Sequence, residues 1–317
     1  MDMAMQHIES AYAKINLFLD VTGRRENGYH DIAGVMHTVS LCDRVTLTVE
    51  GMHRGEICSL SGVSRGAGEI TLTCTEPSLP TDRKNLAWRA AEEFFAATGF
   101  GAQKLSIHIE KHIPAAAGLA GGSTDAAAVL RGLNRMYGSP LSADGLTAAG
   151  VRIGADVPFC IVGGACITRG IGDDLTPIRA LNHGALVVAC AGEGISTPAA
   201  YGELDAKYGG FAEGAYTPRT EELSRMLSAL VHGDVEGVAS EGFNLFESVI
   251  LPQHPTACGI KATMQAGGAQ LALMSGSGPS VFGLFDSDDA AASVAAELTQ
   301  AGIPACVCHP VAEITAV

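Results

Sequence analysis

The feature that most limits the fold of this chain is a glycine-rich turn that runs directly into an alanine-rich helix. The stretch is PAAAGLAGGSTDAAAVL, residues 114–130, and it follows LSIHIEKHIP, whose alternation predicts a strand. Glycines at 118, 121 and 122 let the backbone approach a ligand closely. A helix that begins within 123–126 leaves its first N–H groups unpaired at the positive end of its dipole. This arrangement favours phosphate binding, and the hydroxyls of Ser123 and Thr124 can cap the helix or contact the anion.

Three interpretations of this turn compete. A P-loop requires a lysine directly after a glycine, and none of the six lysines follows one, which excludes that motif. A dinucleotide-binding turn requires G-x-G-x-x-G and an acidic residue about 20 positions later, whereas here no acidic residue lies between Asp125 and Asp144. The third interpretation is a plain strand-to-helix connection in which small residues allow close packing. Other segments of the chain have to decide between this connection and a phosphate site.

Composition excludes several classes of function. The 317 residues are 47% hydrophobic, enough for one large or two medium domains. With 34 acidic and 20 basic residues the net charge is -14, so we expect neither a nucleic acid nor an anionic membrane as partner. The start, MDMAMQHIESAYAK, lacks the apolar segment of a secretory signal, so we expect a cytoplasmic protein. The nine cysteines contain no C-x-x-C pair and are expected to be reduced and mostly buried.

The order of predicted elements indicates an α+β protein. Strands are predicted at AKINLFLDVTG, DRVTLTVEG and GEITLTCT, and a helix at 82–98 that ends before Gly99. A second block begins with the apolar strand GALVVACAG and continues with helices near 219–240 and 256–267. The stretch QLALMSGSGPSVFGLFD predicts a strand, a glycine turn and a strand, followed by a helix and a closing strand. We therefore predict two domains, residues 1–180 and 181–317, with helices and sheets in layers.

Two polar segments supply candidate catalytic groups. AYAKINLFLDVTGRRENGYHD, residues 11–31, places Lys14 and Asn16 on one face of a strand and leads to a turn with Tyr29 and His30. GADVPF, residues 154–159, places Asp156 in a turn. Taken alone, such a lysine is usually a solvated edge charge and such an aspartate usually a cap. In one cleft, the lysine would keep the aspartate ionised as a base that activates a hydroxyl group.

Four motifs together resemble the GHMP kinase superfamily. They are AKINLFLDVTGRRENGYH, IPAAAGLAGGSTDAAA, GADVPF and SGSGPSVFG, in this order and spacing over nearly the whole chain. The first motif, with its GYH ending, is similar to the members whose small-molecule substrate is a cytidine diphosphate-linked methylerythritol. The resemblance implies an N-terminal domain like the second domain of ribosomal protein S5 and a ferredoxin-like C-terminal domain. It also implies ATP and Mg²⁺ as cofactors and phosphoryl transfer to the substrate's 2-hydroxyl.

The resemblance also implies roles for individual residues. Asp156 would be the general base and Lys14 would orient it and steady the reacting oxygen, so these two are the expected catalytic pair. Asn85 would lie near the adenine and the turn would surround the ATP phosphates, with Pro114, Gly118, Leu119, Ala120, Gly121, Gly122, Ser123 and Thr124. Substrate contacts are expected from Asn16, Tyr29, His30, Asp156, Thr197, Tyr201, Gly276, Ser277 and Gly278. In this set the cytosine ring would be held by Tyr29 and His30, with Tyr201 stacked on its other face. The resemblance assigns no protein ligand to the metal, and the oligomeric state stays open between monomer and homodimer.

Two positions depart from the family pattern, and three other functions stay open. Ala120 stands where many relatives have glycine, and Asp125 places a negative charge beside the phosphate turn. Alternatives are another small-molecule kinase of the superfamily, a decarboxylase of the same fold, and a non-catalytic nucleotide-binding relative. The GYH turn argues against the first, and the presence of both Lys14 and Asp156 argues against the last.

Overall fold

The computed structural model describes residues 4–53, 66–192 and 194–314, and a long hairpin dominates its first part. Strand β1 spans Met5–Arg24 and pairs antiparallel with β2, His30–Glu50. The strand predicted at AKINLFLDVTG is confirmed but begins eight residues earlier than expected, whereas the first half of β2 was not predicted. The connecting turn closes with a hydrogen bond from Arg25 N to Tyr29 O of 2.7 Å.

The strands form two sheets. The remaining strands are β3 (Gly66–Cys74), β4 (Gly101–Glu110), β5 (Ala165–Arg169), β6 (Asp174–Ile178), β7 (Ala185–Ala189), β8 (Phe243–Asn244), β9 (Leu271–Met274), β10 (Val281–Phe285) and β11 (Ala305–Cys308). The first sheet has the order β3-β4-β2-β1-β8, and β5 joins β6 to β2. The second sheet has the order β11-β7-β10-β9. The predicted α+β class is therefore confirmed, and the strand predicted at LSIHIEKHIP ends at Glu110, before the lysine that follows it.

Ten α-helices occur within the described ranges. They are α1 (Leu86–Thr98), α2 (Gly121–Met136), α3 (Ala143–Val151), α4 (Val157–Val162), α5 (Thr197–Lys207), α6 (Thr220–His232), α7 (Val235–Ser240), α8 (Glu247–Ile250), α9 (Pro255–Ala266) and α10 (Asp288–Gln300), with short 3-10 turns at Gly209–Phe211 and Leu251–Gln253. None of the described helices combines the length and the apolar character that a membrane crossing requires.

Local signals explain several helix ends and one error. Asn85 caps α1 by accepting a hydrogen bond from Ala87 N, so that helix begins later than the predicted residue 82. The predicted C-cap, Gly99, is confirmed, with φ 71° and its N–H donated to Phe95 O. The single helix predicted near 219–240 is wrong: Gly233 in the left-handed region ends α6, and Asp234 caps α7.

The two sheets share one layer of core. Leu186 and Val188 of β7 face the first sheet and α6, whereas Val187 faces α9 and α10 on the other side. Both faces of β7 are thus covered, which explains why GALVVACAG is apolar without alternation. The boundary near residue 180 stays a prediction. The eight cysteines in the described ranges are free thiols, and Cys58 lies outside those ranges.

Candidate active site

A cavity of about 920 Å³ opens where the glycine turn before α2, the second half of β1 and helix α5 meet. Most of the predicted site residues line it: Lys14, Asn16, Tyr29, His30, Gly118, Ala120, Gly121, Gly122, Ser123, Asp156, Thr197, Tyr201, Gly276, Ser277 and Gly278. The structure thus brings together residues that lie up to 264 positions apart in the chain, between Lys14 and Gly278. A volume of this size suits two small-molecule ligands bound side by side.

Lys14 and Asn16 do share one face of β1, as their spacing predicts. Lys14 Nζ donates to Asn16 Oδ1 at 2.7 Å, and the backbone N–H of Gly276 donates to the same oxygen at 3.1 Å. The Lys14 side chain is almost fully buried, so its charge acts in a medium where it is screened little by water. This short chain of contacts fixes the ammonium group between the first strand and the final glycine turn.

Asp156 lies at the start of α4, but its side chain makes no capping hydrogen bond with that helix. The usual structural role of a turn aspartate is therefore absent, and the carboxylate faces the cavity. Among the ion pairs of the described residues, none within 4.0 Å joins it to Lys14. Burial raises the pKa of the Cys160 thiol to about 12, Asp156 adds to that rise and Lys14 opposes it, so both charges reach the same buried thiol.

The glycine turn has the geometry of an anion-binding helix start, with one correction. Helix α2 begins at Gly121, two residues before the earliest predicted start, and Ala120 precedes it in the left-handed region with φ 60° and ψ 28°. The first described backbone bond into the helix is Thr124 N to Ala120 O at 2.9 Å. The N–H groups at 121, 122 and 123 are therefore outside the helical ladder, beside the cavity. Ala120 accepts a conformation that a glycine would adopt more readily.

Four residues predicted to contact ATP do not line the cavity: Asn85, Pro114, Leu119 and Thr124. The Asn85 amide caps α1 and donates to Pro80 O at 2.8 Å. Leu119 is buried in the core between the sheets, and its carbonyl accepts from Lys14 N at 3.2 Å. The Thr124 hydroxyl donates to Tyr12 O at 2.7 Å, which fastens α2 to β1. In this structure Asn85 thus serves helix α1, whereas Leu119 and Thr124 tie the turn and the start of α2 to β1.

The final glycine turn packs directly on the phosphate turn. Gly118 has φ 78°, and a Cβ at that position would lie 2.1 Å from Ser275 O. Ser275 Oγ donates to Gly118 O at 3.0 Å. Asn244 holds the same turn, since its Nδ2 donates to Met274 O at 2.7 Å and to Gly276 O at 2.8 Å. Asn244 was missed from the sequence because nothing near it in the chain marks a buried amide that serves two distant carbonyls.

The far end of the cavity is aromatic and carries an ion pair that the sequence did not reveal. The rings of His30 and Tyr201 are stacked, with centroids 4.5 Å apart and an interplanar angle of 16°. His30 Nε2 lies 2.8 Å from Asp205 Oδ1, and Arg24 Nε lies 3.4 Å from Asp205 Oδ2. Burial, followed by the charge of Asp156, raises the pKa of Tyr201 to about 12. Tyr29 stands apart with 59% of its surface exposed.

Metal-ligating side chains in the described part of the chain do not form a cage of their own. Within the described ranges no group of three or more His, Cys, Asp or Glu side chains is arranged to hold an ion. At nucleotide sites Mg²⁺ is bound by one or two carboxylates together with phosphate oxygens and water, an arrangement that needs no such group.

Family models match both halves of the chain. The model for the GHMP kinases N terminal domain matches residues 85–164, which include the glycine turn and Asp156. The model for the GHMP kinases C terminal region matches residues 226–304, which include the final glycine turn. The fold agrees with this: a crystal structure of a homoserine kinase from Cytophaga hutchinsonii superposes with a TM-score of 0.71 at 17% identity, covering 99% of this chain and 96% of that chain.

Several proteins with higher sequence identity to this chain are named as the same enzyme. A 4-diphosphocytidyl-2-C-methyl-D-erythritol kinase from Alkaliphilus metalliredigens is 41% identical over 86% of this chain and 86% of its own length. Another from Exiguobacterium sibiricum is 40% identical over 90% of this chain and 92% of its own length. A crystal structure of 4-(cytidine 5'-diphospho)-2C-methyl-D-erythritol kinase is 32% identical, with a TM-score of 0.74, and the match covers 96% of this chain and 99% of that one.

Fold and family models together define a GHMP kinase, as the four sequence motifs predict. Within that superfamily the chain belongs to the 4-diphosphocytidyl-2-C-methyl-D-erythritol kinase family. The roles of its individual site residues stay predictions, which the geometry above supports to different degrees.

Proposed function

We propose that this protein transfers the γ-phosphoryl group of ATP to the 2-hydroxyl of 4-diphosphocytidyl-2-C-methyl-D-erythritol, giving the 2-phosphate and ADP in the non-mevalonate route to isoprenoid precursors. The names of its relatives support the substrate. The observation that carries the proposal is that one cavity joins the glycine turn before α2, Lys14 and Asp156, and the aromatic pair of His30 and Tyr201. These three parts correspond to an anion site, a reaction centre and a base-binding end.

The proposed chemistry needs one base and one cation. The Asp156 carboxylate takes the proton of the 2-hydroxyl, and the oxygen attacks the γ-phosphorus as the bond to the bridging oxygen of ADP breaks. Lys14 lies in the same cavity, buried and held by Asn16, where its charge can offset the negative charge of the reacting oxygen and phosphoryl group. The absence of a capping bond at Asp156 leaves its oxygens available for the substrate proton.

The turn before α2 supplies the phosphate contacts in this proposal. Its first N–H groups lie outside the helical ladder and beside the cavity, and the dipole of a 16-residue helix favours an anion there. Mg²⁺ carried by the nucleotide would neutralise phosphate charge when bound. Backbone donors in fixed positions need no reorganisation during transfer, so the turn can stabilise phosphate without a lysine of its own.

The geometry refines how a cytosine ring would be held. The rings of His30 and Tyr201 are already in contact, so the base is proposed to bind at their common edge rather than between them. Tyr29 is exposed and lines the same end of the cavity, where its ring can cover the base. The bond to Asp205 holds the His30 ring in place for this contact.

ADP release is the direct test of the proposed activity. Purified protein with ATP and magnesium is assayed beside four acceptors: the cytidylated compound, uncytidylated methylerythritol phosphate, mevalonate and homoserine. Turnover confined to the cytidylated acceptor is expected, with no carbon dioxide evolved. Turnover with mevalonate or homoserine instead would refute the substrate assignment, and turnover with none of the four would refute the proposed activity.

A further inference from the structure

Three charged side chains are buried together beneath the first turn of α2. Lys111 follows β4, Asp43 lies on β2 and Asp125 lies on α2, and their side chains are 6%, 0% and 3% exposed. Lys111 Nζ donates to Asp125 Oδ2 at 2.8 Å and also to Asp43 Oδ2. None of the three lines the cavity, so none belongs to the site described above.

This cluster holds both ends of the phosphate turn. Asp43 Oδ1 accepts the backbone N–H groups of His112 at 2.5 Å and Ile113 at 2.8 Å, the two residues that precede the turn. Lys111 Nζ lies 3.3 Å from the position that a Cβ at Gly121 would occupy, directly beneath the first residue of α2. The entry to the turn and the start of the helix are therefore anchored to one buried ammonium group.

The charges of the cluster do not balance when all three groups are ionised. Two carboxylates and one ammonium leave one excess negative charge under a site proposed to bind phosphate. Asp125 Oδ1 is buried without a hydrogen-bond partner among the described residues, which is costly for a carboxylate oxygen and tolerable for a carboxylic acid. Asp125 is thus the group on which a proton removes the excess charge.

The protonation of Asp125 follows from its surroundings. Burial raises the pKa of Asp125 to about 7, with Lys111 lowering it and Asp43 raising it further. Burial favours the neutral form of Lys111, yet the charges of Asp125 and Asp43 raise its pKa, so the cation persists. The titratable side chains near this part of α2 are Lys111 after β4, Asp43 on β2, Cys74 on β3 and, beside Thr124, Cys160 on α4. The charges acting on Asp125 itself are those of Lys111 and Asp43.

We propose that Lys111 positions the phosphate turn through Asp43 and Asp125, and that Asp125 takes up a proton from solvent when a nucleoside triphosphate binds above it. This inference rests on the proposed function, because it requires the turn to be the nucleotide site. No bond of the nucleotide changes in this step: one O–H bond forms on Asp125 and the buffer loses the proton. The device lets a turn without its own lysine avoid repulsion from the acid that follows it.

The size of the effect follows from linkage. If the bound phosphates raise the pKa of Asp125 by about one unit, the protonated fraction at pH 7 rises from about 0.5 to about 0.9. Binding should then take up about 0.4 of a proton per site at pH 7, and less at pH values far above or below 7. A merely structural ion cluster would show no such uptake.

Calorimetry measures this uptake directly. A non-hydrolysable ATP analogue with magnesium is titrated into the protein at pH 7 in two buffers of different ionisation enthalpy, which gives the protons bound per nucleotide. Asp125→Asn has nearly the same shape, so we expect it to bind the analogue. Its proton uptake per nucleotide should fall to the part that the nucleotide itself contributes. Lys111→Met should weaken binding at least tenfold, and Lys111→Arg should recover part of the affinity. Arg135→Met removes a cation from the other end of α2 and should bind the analogue with the affinity and the proton uptake of the unaltered protein.

The outcomes that overturn the inference are distinct. Equal proton uptake by the unaltered protein and Asp125→Asn would refute the role of Asp125, and unchanged affinity in folded Lys111→Met would refute the positioning role. Circular dichroism checks folding. If Lys111→Met fails to fold, the affinity of Lys111→Arg is compared with that of the control Arg135→Met. Equal affinities in these two variants would count against the positioning role. Absence of any nucleotide binding by the unaltered protein would instead refute the proposed function, and the inference with it.

Discussion

His37 should make the protein lose stability as the pH falls, because its ring is buried in the neutral form. Its ring is buried on β2, with Nδ1 donating to Thr38 O at 2.7 Å and Nε2 accepting from Leu181 N at 2.9 Å. An N–H aimed at Nε2 requires that nitrogen to be unprotonated, so the ring is neutral. Burial lowers the pKa of His37 from 6.5 to about 4, against the raising effect of the bond to Thr38 O.

The sign and size follow from proton linkage. Well above pH 6.5 neither the folded nor the unfolded chain protonates this ring, so its contribution to stability is constant. Between pH 6.5 and pH 4 only the unfolded chain binds the proton, so the free energy of unfolding falls with pH. The loss is about 2 kcal/mol between pH 7 and pH 5, and it approaches about 3 kcal/mol below pH 4.

Urea unfolding of the protein and of His37→Gln, at pH 7, 6, 5 and 4.5, isolates this effect, since all other titrating groups are common to both. The variant should be less stable at pH 7 by about 1 kcal/mol because one backbone partner loses its best-placed bond. The difference should shrink and reverse sign by pH 5. Parallel stability curves over this range would refute the assignment of a neutral, buried His37.

Three further substitutions test the site and its supports. Asp156→Asn should lower turnover about 100-fold or more in the ADP-release assay with unchanged affinity for ATP, and near-normal turnover would exclude it as the base. Gly118→Ala should destabilise the fold by about 2 kcal/mol or more in urea, since its Cβ would meet Ser275 O at 2.1 Å in a left-handed backbone, and weaken ATP binding. Arg131→Met should lower the free energy of unfolding by about 3 kcal/mol, because this buried side chain bonds a buried glutamate and two carbonyls. Arg135→Met should lower it by under about 1 kcal/mol, because that side chain is more exposed and bonds only the glutamate, and equal losses would contradict this.

The sequence predicts those parts of the fold whose signal is local. The strand at AKINLFLDVTG, the C-cap at Gly99 and the strand, turn and strand near 270–286 all follow from alternation and turn residues. The sequence predicts a turn at Asp156, whereas the structure continues into a short helix, because GADVPF has too few residues to show a helical period. The sequence does not predict the first half of β2, because its middle, residues 34–39, is buried on both faces in the structure and its side chains do not alternate between apolar and polar.

The candidate site divides in the same way. Motif resemblance identified Lys14, Asp156 and the glycine turn, and the structure brings these into one cavity. Asp205 and Asn244 were missed because their importance depends on partners 175 and 30 or more positions away, His30 and the carbonyls of the final turn. No local pattern encodes such contacts, since they exist only after the two sheets have packed together.

The arrangement of charge explains how an acidic chain can offer a site for phosphate. Of the lysines and arginines in the described chain, Lys14 and Arg24 line the cavity, and Arg24 is paired with Asp205. Lys111, which lies closest beneath the turn, is held by two carboxylates and does not reach the cavity. Side-chain cations alone therefore cannot balance a triphosphate here. Besides the magnesium ion that a nucleotide carries, the backbone donors at the start of α2 are the groups placed to take up that charge, and glycines, not lysines, suit this task in the turn.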